Sequence, residues 1–337
     1  MTGRTPAGGG GLAAKIPAVP AGSDGAEPGQ YGRGPLAVVL AAACWGTSGV
    51  FVKLVAAEVE VSALALAFWR DLVTFLVLLT GLGLLRRGWL RVQRPDLPWL
   101  IALGGSLGTF HVFWNLGVFL NGAAVATVQQ AAMPAIVAVV AWLIWHEALT
   151  WSKIAAILLT FVGTVLVSGL EALGQAQLSP GSLLIGLSIP VTYAAWNLFG
   201  KKVRQTYNPF ATLTYAFAFG ALVLLPLQFF TPQPWPVPPA GLLWFTALIA
   251  ISTLFPFIIY TFALGRLPAS VATILAMSEI AFVAAYAYVL LGERLSPSQI
   301  LGAVLVVGGV LLLSLQRWRQ RAQPRNRTTP ATQEGEG

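Results

Sequence analysis

The sequence predicts an all-α membrane protein of ten transmembrane helices arranged as two inverted five-helix repeats. Three observations carry that prediction. Apolar runs of about 20 residues, the length that crosses a bilayer as a helix, recur along the chain. Basic residues cluster in every second connection between those runs. One long segment occurs twice, without a gap, at an offset of 146 residues.

Composition supports the membrane class. Of 337 residues, 56% are hydrophobic and 9% are charged, against about 25% charged in a soluble domain. There are too few polar side chains to cover a water-facing surface. Twelve Trp and 22 Pro also suit a polytopic membrane protein, since Trp favours the bilayer interface and packed membrane helices tolerate Pro. A net charge of +8 does not point to nucleic acid, because the basic residues sit at the ends of apolar spans and form no stripe. The lone Cys44 excludes an internal disulfide, and no metal site or other cofactor is expected. Residues 1–34, rich in Gly, Ala and Pro, have no apolar stretch after a basic start. They read as a disordered tail and not as a signal peptide. Residues 317–337 read as a basic cytoplasmic tail.

In order, the first five spans cover about 36–56, 62–85, 98–120, 122–145 and 150–170. The second five cover about 181–200, 210–230, 241–263, 269–291 and 297–316. These fall into repeats at 35–172 and 178–316. Counting from a cytoplasmic N-terminus, the inside segments hold 17 of the 20 Lys and Arg residues. Outside connections hold only Arg294, while Lys53 and Arg70 lie within spans. This is the positive-inside pattern for a multi-pass protein of the cytoplasmic membrane with both termini inside.

The repeat pairs 123–169 with 269–315, matching Thr127 with Thr273, Glu147 with Glu293, Leu149 with Leu295 and Gly163 with Gly309. Five spans per half make the second copy enter from the opposite side, a construction found in many secondary transporters. Glu147 is then cytoplasmic and Glu293 external, as suits symmetric helix ends. Trp45 with Lys53 is echoed by Trp196 with Lys201.

These residues resemble the drug/metabolite transporter superfamily, specifically its EamA-like members with ten helices. The resemblance rests on Trp45-Gly46 with Lys53, then Arg70, Pro134, Glu147, Leu149 and Gly163. It also rests on the second-repeat stretch ALGRLPASVATILAMSEIAFVAAYAYVLLGERLSPSQILGAVLVVGG, and it covers about 36–316. Two positions depart from the family pattern. Ile280 follows Glu279 where Pro is common, and Ala156 stands where Gly is common. The resemblance implies transport of small metabolites, often export, without ATP hydrolysis. Family substrates range over amino acids, sugars, nucleotide precursors and drugs.

Charged and polar residues inside spans should face the protein interior. Arg and Asp each cost about 2.5–3.5 kcal/mol at the centre of a lipid-facing helix, so Arg70 and Asp71 need partners. Depth along the helices makes Lys53 the expected partner of Asp71. The three are expected to form an ion pair joining spans one and two, or a gate, with Arg70 reaching the outer headgroups or an anionic substrate. His111, Trp114 and Asn115 share a face of span three, and Thr192, Trp196 and Asn197 have similar spacing on span six. With Trp45, Tyr193 and Tyr260 they are candidates to line a cavity for a small-molecule substrate. His111 and Glu279 are candidates for proton coupling. Pro134, Pro190, Pro226 and Pro256 can kink their spans, and Gly104 with Gly108 suits close helix packing.

Two other classes compete. Gly46-Thr47-Ser48-Gly49 fits an intramembrane serine protease motif, with Ser48 as nucleophile and His111 as base. A non-transporting scaffold or sensor would have a dry interior. No phosphate-binding loop is present, and a transporter that is not an enzyme is expected. The expected partners are a small-molecule substrate and the lipid bilayer, with assembly as a homodimer left open.

Overall fold

The computed structural model describes residues 28–168, 179–291 and 296–322, and every regular element among them is helical. Ten helical stretches among these residues are long and apolar enough to cross a membrane. Span one is built from α1 (Pro28–Trp45) and α2 (Ser48–Glu58), and span two is α3 (Ala63–Leu85). The long α4 (Leu97–Gln130) holds span three and the start of span four, which α5 (Met133–Trp145) completes. A Cβ added to Gly117 would lie 3.3 Å from Ala126 Cβ. A straight helix would separate residues nine apart by about 13.5 Å, so the chain doubles back there. Span five is α6 (Trp151–Ser168), span six α7 (Pro180–Val203), and span seven α8 (Pro209–Leu224) with a 3₁₀ extension, Leu225–Phe230. Span eight is α9 (Pro239–Ile249), a π-helical turn at Ala250–Leu254, and α10 (Phe255–Leu264). Span nine is α11 (Ala269–Ala276) with α12 (Ser278–Leu291), and span ten is α13 (Pro297–Ala322).

Local chemistry sets several starts. The side chains of Ser62, Ser179 and Asn208 accept hydrogen bonds from the backbone N–H groups of Ala65, Ser182 and Ala211. Each satisfies a donor that the first helical turn leaves unpaired. The outer faces stay apolar, with Leu84, Trp151, Leu187, Phe229 and Phe230 each more than two-thirds exposed. So broad an apolar belt is stable against lipid tails and not against water.

Span five packs on ten, two on seven, one on eight, three on six, and four on nine. Exchanging the halves maps these pairs onto one another. The exchange is not exact: span three also packs closely on seven, while spans two and eight stand further apart. Small residues permit the close approaches. A Cβ on Gly163 would sit 2.7 Å from Gly302 O, locking five against ten. A Cβ on Gly108 would sit 2.8 Å from Gly220 O, so the expected Gly104/Gly108 contact face is used, against span seven.

Of the four prolines expected to kink spans, Pro134 and Pro256 each sit one residue into the helix that follows a break. Pro226 is the second residue of the 3₁₀ segment, and Pro190 lies inside an unbroken α7. Glu293 and Arg294 lie outside the described residues.

Four connections that the sequence assigns to the inside are gathered at one end of the bundle. Tyr207 donates to Asp96 Oδ2 at 2.7 Å and accepts from the Gln93 N–H at 2.9 Å, and Tyr215 donates to Leu90 O at 2.6 Å. Lys201 Nζ donates to Leu267 O at 2.6 Å and Leu264 O at 3.1 Å. Glu147 accepts from Ala269 N at 2.9 Å and Ser270 Oγ at 2.5 Å, with Lys153 3.7 Å away. Glu147 thus caps α11 across the two halves. Arg204 donates to Thr261 O at 2.9 Å. Burial, with Arg266 nearby, pushes its guanidinium down to about 10, so it stays charged at neutral pH.

Gly220→Ala would place a methyl group 2.6 Å from Asp71 Oδ2. It is expected to cost about 1–3 kcal/mol by overpacking, seen as a lower apparent melting temperature in detergent. Gly81→Ala, with nothing within 4 Å of the new atom, should leave it unchanged or slightly raised.

Candidate functional site: a polar cavity at broken helices

Among the described residues four spans are interrupted within their apolar length, and the interruptions converge. Span one breaks at Gly46–Thr47, span four at Ala131–Ala132, span eight at the π-helical turn, and span nine at Met277. The breaks in four and nine are repeat-mates at the 146-residue offset. Ser48, Gln130 and Glu279 lie at or next to three of the breaks. All three line one cavity of about 30 Å³ with Trp45, Arg70, Phe110, His111, Trp114, Tyr193 and Phe257.

Arg70 is buried, and its Nε donates to Thr253 Oγ1 at 2.8 Å, with Nη2 3.4 Å from Ser252 O. Both acceptors belong to the π-helical turn, where Thr253 Oγ1 itself donates to Leu248 O at 2.9 Å. Thr47 Oγ1 donates to Cys44 O at 2.6 Å, so across the 2.7 Å contact it must accept from Ser252 Oγ. The breaks in spans one and eight are therefore tied to each other and to Arg70.

Asp71 is fully buried, and its Oδ1 lies 2.6 Å from His111 Nδ1. The expected Lys53–Asp71 pair is not formed. Lys53 is exposed, and the carboxylate is held by span three. Depth matched Lys53 to Asp71 in height, but the azimuth of α3 turns Asp71 towards spans three and seven. Nor does Arg70 extend to the headgroups; it turns inward onto span eight.

The remaining candidates divide into wall and backing. Trp45, Trp114 and Tyr193 line the cavity, with Tyr193 stacked on Phe110 at 4.3 Å between centroids. Trp196, Asn197 and Tyr260 do not line it. They form a layer behind it, in which Tyr260 donates to Asn197 Oδ1 at 2.5 Å and Trp196 stacks on Tyr260 at 5.6 Å. Asn115 leaves the cavity too, donating to Ala63 O at 3.1 Å. Thr192 bonds Ser188 O within its own helix. Glu279 lines the cavity, 3.5 Å from Gln130 Nε2. Ser48 and His111 share the cavity without a hydrogen bond between them, so the nucleophile–base contact expected of a protease is not made among the described residues.

Sequence reading missed Gln130, Phe110 and Phe257. Gln130 carried a signal as a polar residue within an apolar span. Phe257 is the repeat-mate of His111 at the 146-residue offset, so extending the repeat upstream would have found it. Two buried polar atoms on the wall, Trp45 Nε1 and His111 Nε2, have no hydrogen-bond partner. Such groups suit a ligand or water in that space.

A profile of the EamA-like transporter family matches residues 32–169 and 180–315. The chain belongs to this family. It is a membrane transporter with duplicated EamA halves. It is 27% identical over 291 residues to the uncharacterized transporter YwfM of Bacillus subtilis (strain 168), spanning 85% of this chain and 95% of that one. It is 27% identical over 301 residues to the uncharacterized inner membrane transporter YicL of Salmonella typhimurium (strain LT2), spanning 88% and 99%. A probable terminal-alkyne amino-acid exporter of Streptantibioticus cattleyicolor is 26% identical over 251 residues, spanning 71% and 82%. A solved crystal structure superposes with a TM-score of 0.71 at 20% identity, covering 86% of this chain and 99% of the other, and shares the fold.

Leaving a buried charged group without its hydrogen-bond partner costs about 1–3 kcal/mol or more. His111→Phe is therefore expected to lower the apparent melting temperature sharply, because it strands Asp71. Lys53→Met should leave it unchanged. Thermal unfolding of the purified protein in detergent checks both.

Proposed function

We propose that this transporter moves a small amphipathic metabolite, amino-acid-like in its polar part, across the cytoplasmic membrane by alternating access. The direction is export, and both termini are cytoplasmic. The observation that carries this reading is Arg70 and Glu279 lining one cavity with aromatic walls. A guanidinium fits a carboxylate through two parallel hydrogen bonds, and a carboxylate accepts from an ammonium group. Trp45 Nε1 and His111 Nε2 supply further unpaired polar atoms. The amino-acid exporter among the relatives supports the same substrate class.

At about 30 Å³ the cavity has room for one or two water molecules. That is too small for a metabolite, and loading requires the helices to part. The five spans per half, and the packing that survives exchange of the halves, support two inverted units, 35–172 and 178–316, rocking about this centre. The basic end is closed by Glu147, Lys201 and Arg204. His111 with Asp71, and Glu279, are the groups placed to carry a proton in exchange.

Counterflow of radiolabelled L-leucine in proteoliposomes tests the reading. Uptake above protein-free liposomes is expected, falling at least tenfold in Arg70→Ala and in Glu279→Gln. Equal counterflow by Arg70→Ala, or no counterflow across a panel of amino acids, sugars and amphipathic drugs, would contradict it.

A further inference from the structure

A second and larger cavity, of about 290 Å³, lies between spans one, two and eight at the end away from the basic connections. Its walls are apolar: Val55 from α2, Leu66 and Trp69 from α3, Leu242 and Phe245 from α9. Trp235, from the segment joining spans seven and eight, lines its outer end. That segment is tied to span two, since Trp69 Nε1 donates to Gln233 Oε1 at 3.1 Å and the Trp69 ring packs edge-on with Trp235 at 5.4 Å. The cavity occupies the gap between spans two and eight. The corresponding gap, between spans seven and three, is filled by glycine-mediated contact.

The position of this vestibule decides its occupant. Leu66 on its wall and Arg70 on the central cavity are one helical turn apart on the same face of α3, about 6 Å along the axis. Val55 and Ser48 are related in the same way on α2, two turns or about 10 Å apart. Two helices thus lead from the apolar chamber to the charged one. A molecule whose polar end lies between Arg70 and Glu279 would direct its remaining part along this line. The walls there offer it hydrocarbon contacts and aromatic faces.

We infer that this vestibule is the specificity site for the hydrocarbon side chain of the transported amino-acid-like molecule, selecting long apolar side chains over short ones. The inference rests on the transport reading above and goes beyond it. Burying one methylene in an apolar site is worth about a fourfold gain in affinity, which sets the expected gradient.

The test is competition of L-alanine, L-norvaline, L-norleucine and L-2-aminooctanoate against L-leucine counterflow by the full-length protein in proteoliposomes. In the wild type, the inhibitory concentration should fall roughly threefold to fourfold per added methylene. Val73→Trp, which fills the vestibule from α3, should flatten the gradient, and Leu242→Trp, from the opposite wall, serves where the first variant fails to fold. Leu84→Trp, on the lipid-facing surface, should keep it. A flat series in active wild-type protein overturns the inference and leaves the transport reading intact. A gradient that survives both filling variants also overturns it. Absence of any counterflow removes the transport reading, and the inference with it.

Discussion

The carboxylate of Asp71 is the constraint on which the rest of the bundle depends. It lies fully buried, in a helix that must cross hydrocarbon. An ionisable group there is tolerated only if the protein supplies its surroundings. His111 Nδ1 at 2.6 Å supplies one partner. Space for the other oxygen comes from Gly220, where any side chain would collide with Oδ2. That requirement draws spans three and seven against span two, and the same stretch of span seven is where Gly104 and Gly108 make their closest approaches, Gly108 on Gly220 itself and Gly104 on Phe219 and Ala216. One charge, one imidazole and three glycines fix the arrangement of three helices.

Arg70, next in the chain, does the complementary work. Its bonds to Ser252 and Thr253 hold span two to span eight where the helices otherwise stand apart. The π-helical turn presents those acceptors, and π-turns are frequently found at functional sites. The helix breaks are therefore part of one arrangement. They bring Ser48, Gln130 and Glu279 to the cavity and give the spans points at which to bend. The asymmetry between the filled gap at three and seven and the open gap at two and eight is what an alternating mechanism requires of a single state. In the alternating mechanism proposed above, the filled and the open gap would change places between the two end states.

Much of this was legible in the sequence. Ten spans, the alternation of basic connections and the duplicated halves follow from hydropathy, charge placement and a fixed offset, all one-dimensional signals. Charges inside spans marked Arg70, Asp71, His111 and Glu279 because the bilayer penalises them wherever they are. Partner identity was not legible. Rise per residue gives depth, so Lys53 matched Asp71 in height, but only the packed bundle says which helix each face meets. The same gap explains the aromatic set. Trp45, Trp114 and Tyr193 reach the cavity, while Trp196, Asn197 and Tyr260 form the layer behind it. Side-chain spacing on one helix cannot separate a wall from its backing. Pro190 shows the limit of local rules, since its helix continues unbroken among its neighbours.

The central claim is that the polar centre is an interior site reached alternately from the two faces of the membrane. The most direct measurement replaces Cys44 with Ser and introduces single cysteines at Ser48 and Gln130. Each is then challenged with a membrane-impermeant maleimide in right-side-out and inside-out vesicles. Labelling of both positions from both sides is the predicted result. Labelling from neither side would describe a sealed core, and labelling from one side alone a static cleft; either would contradict the account.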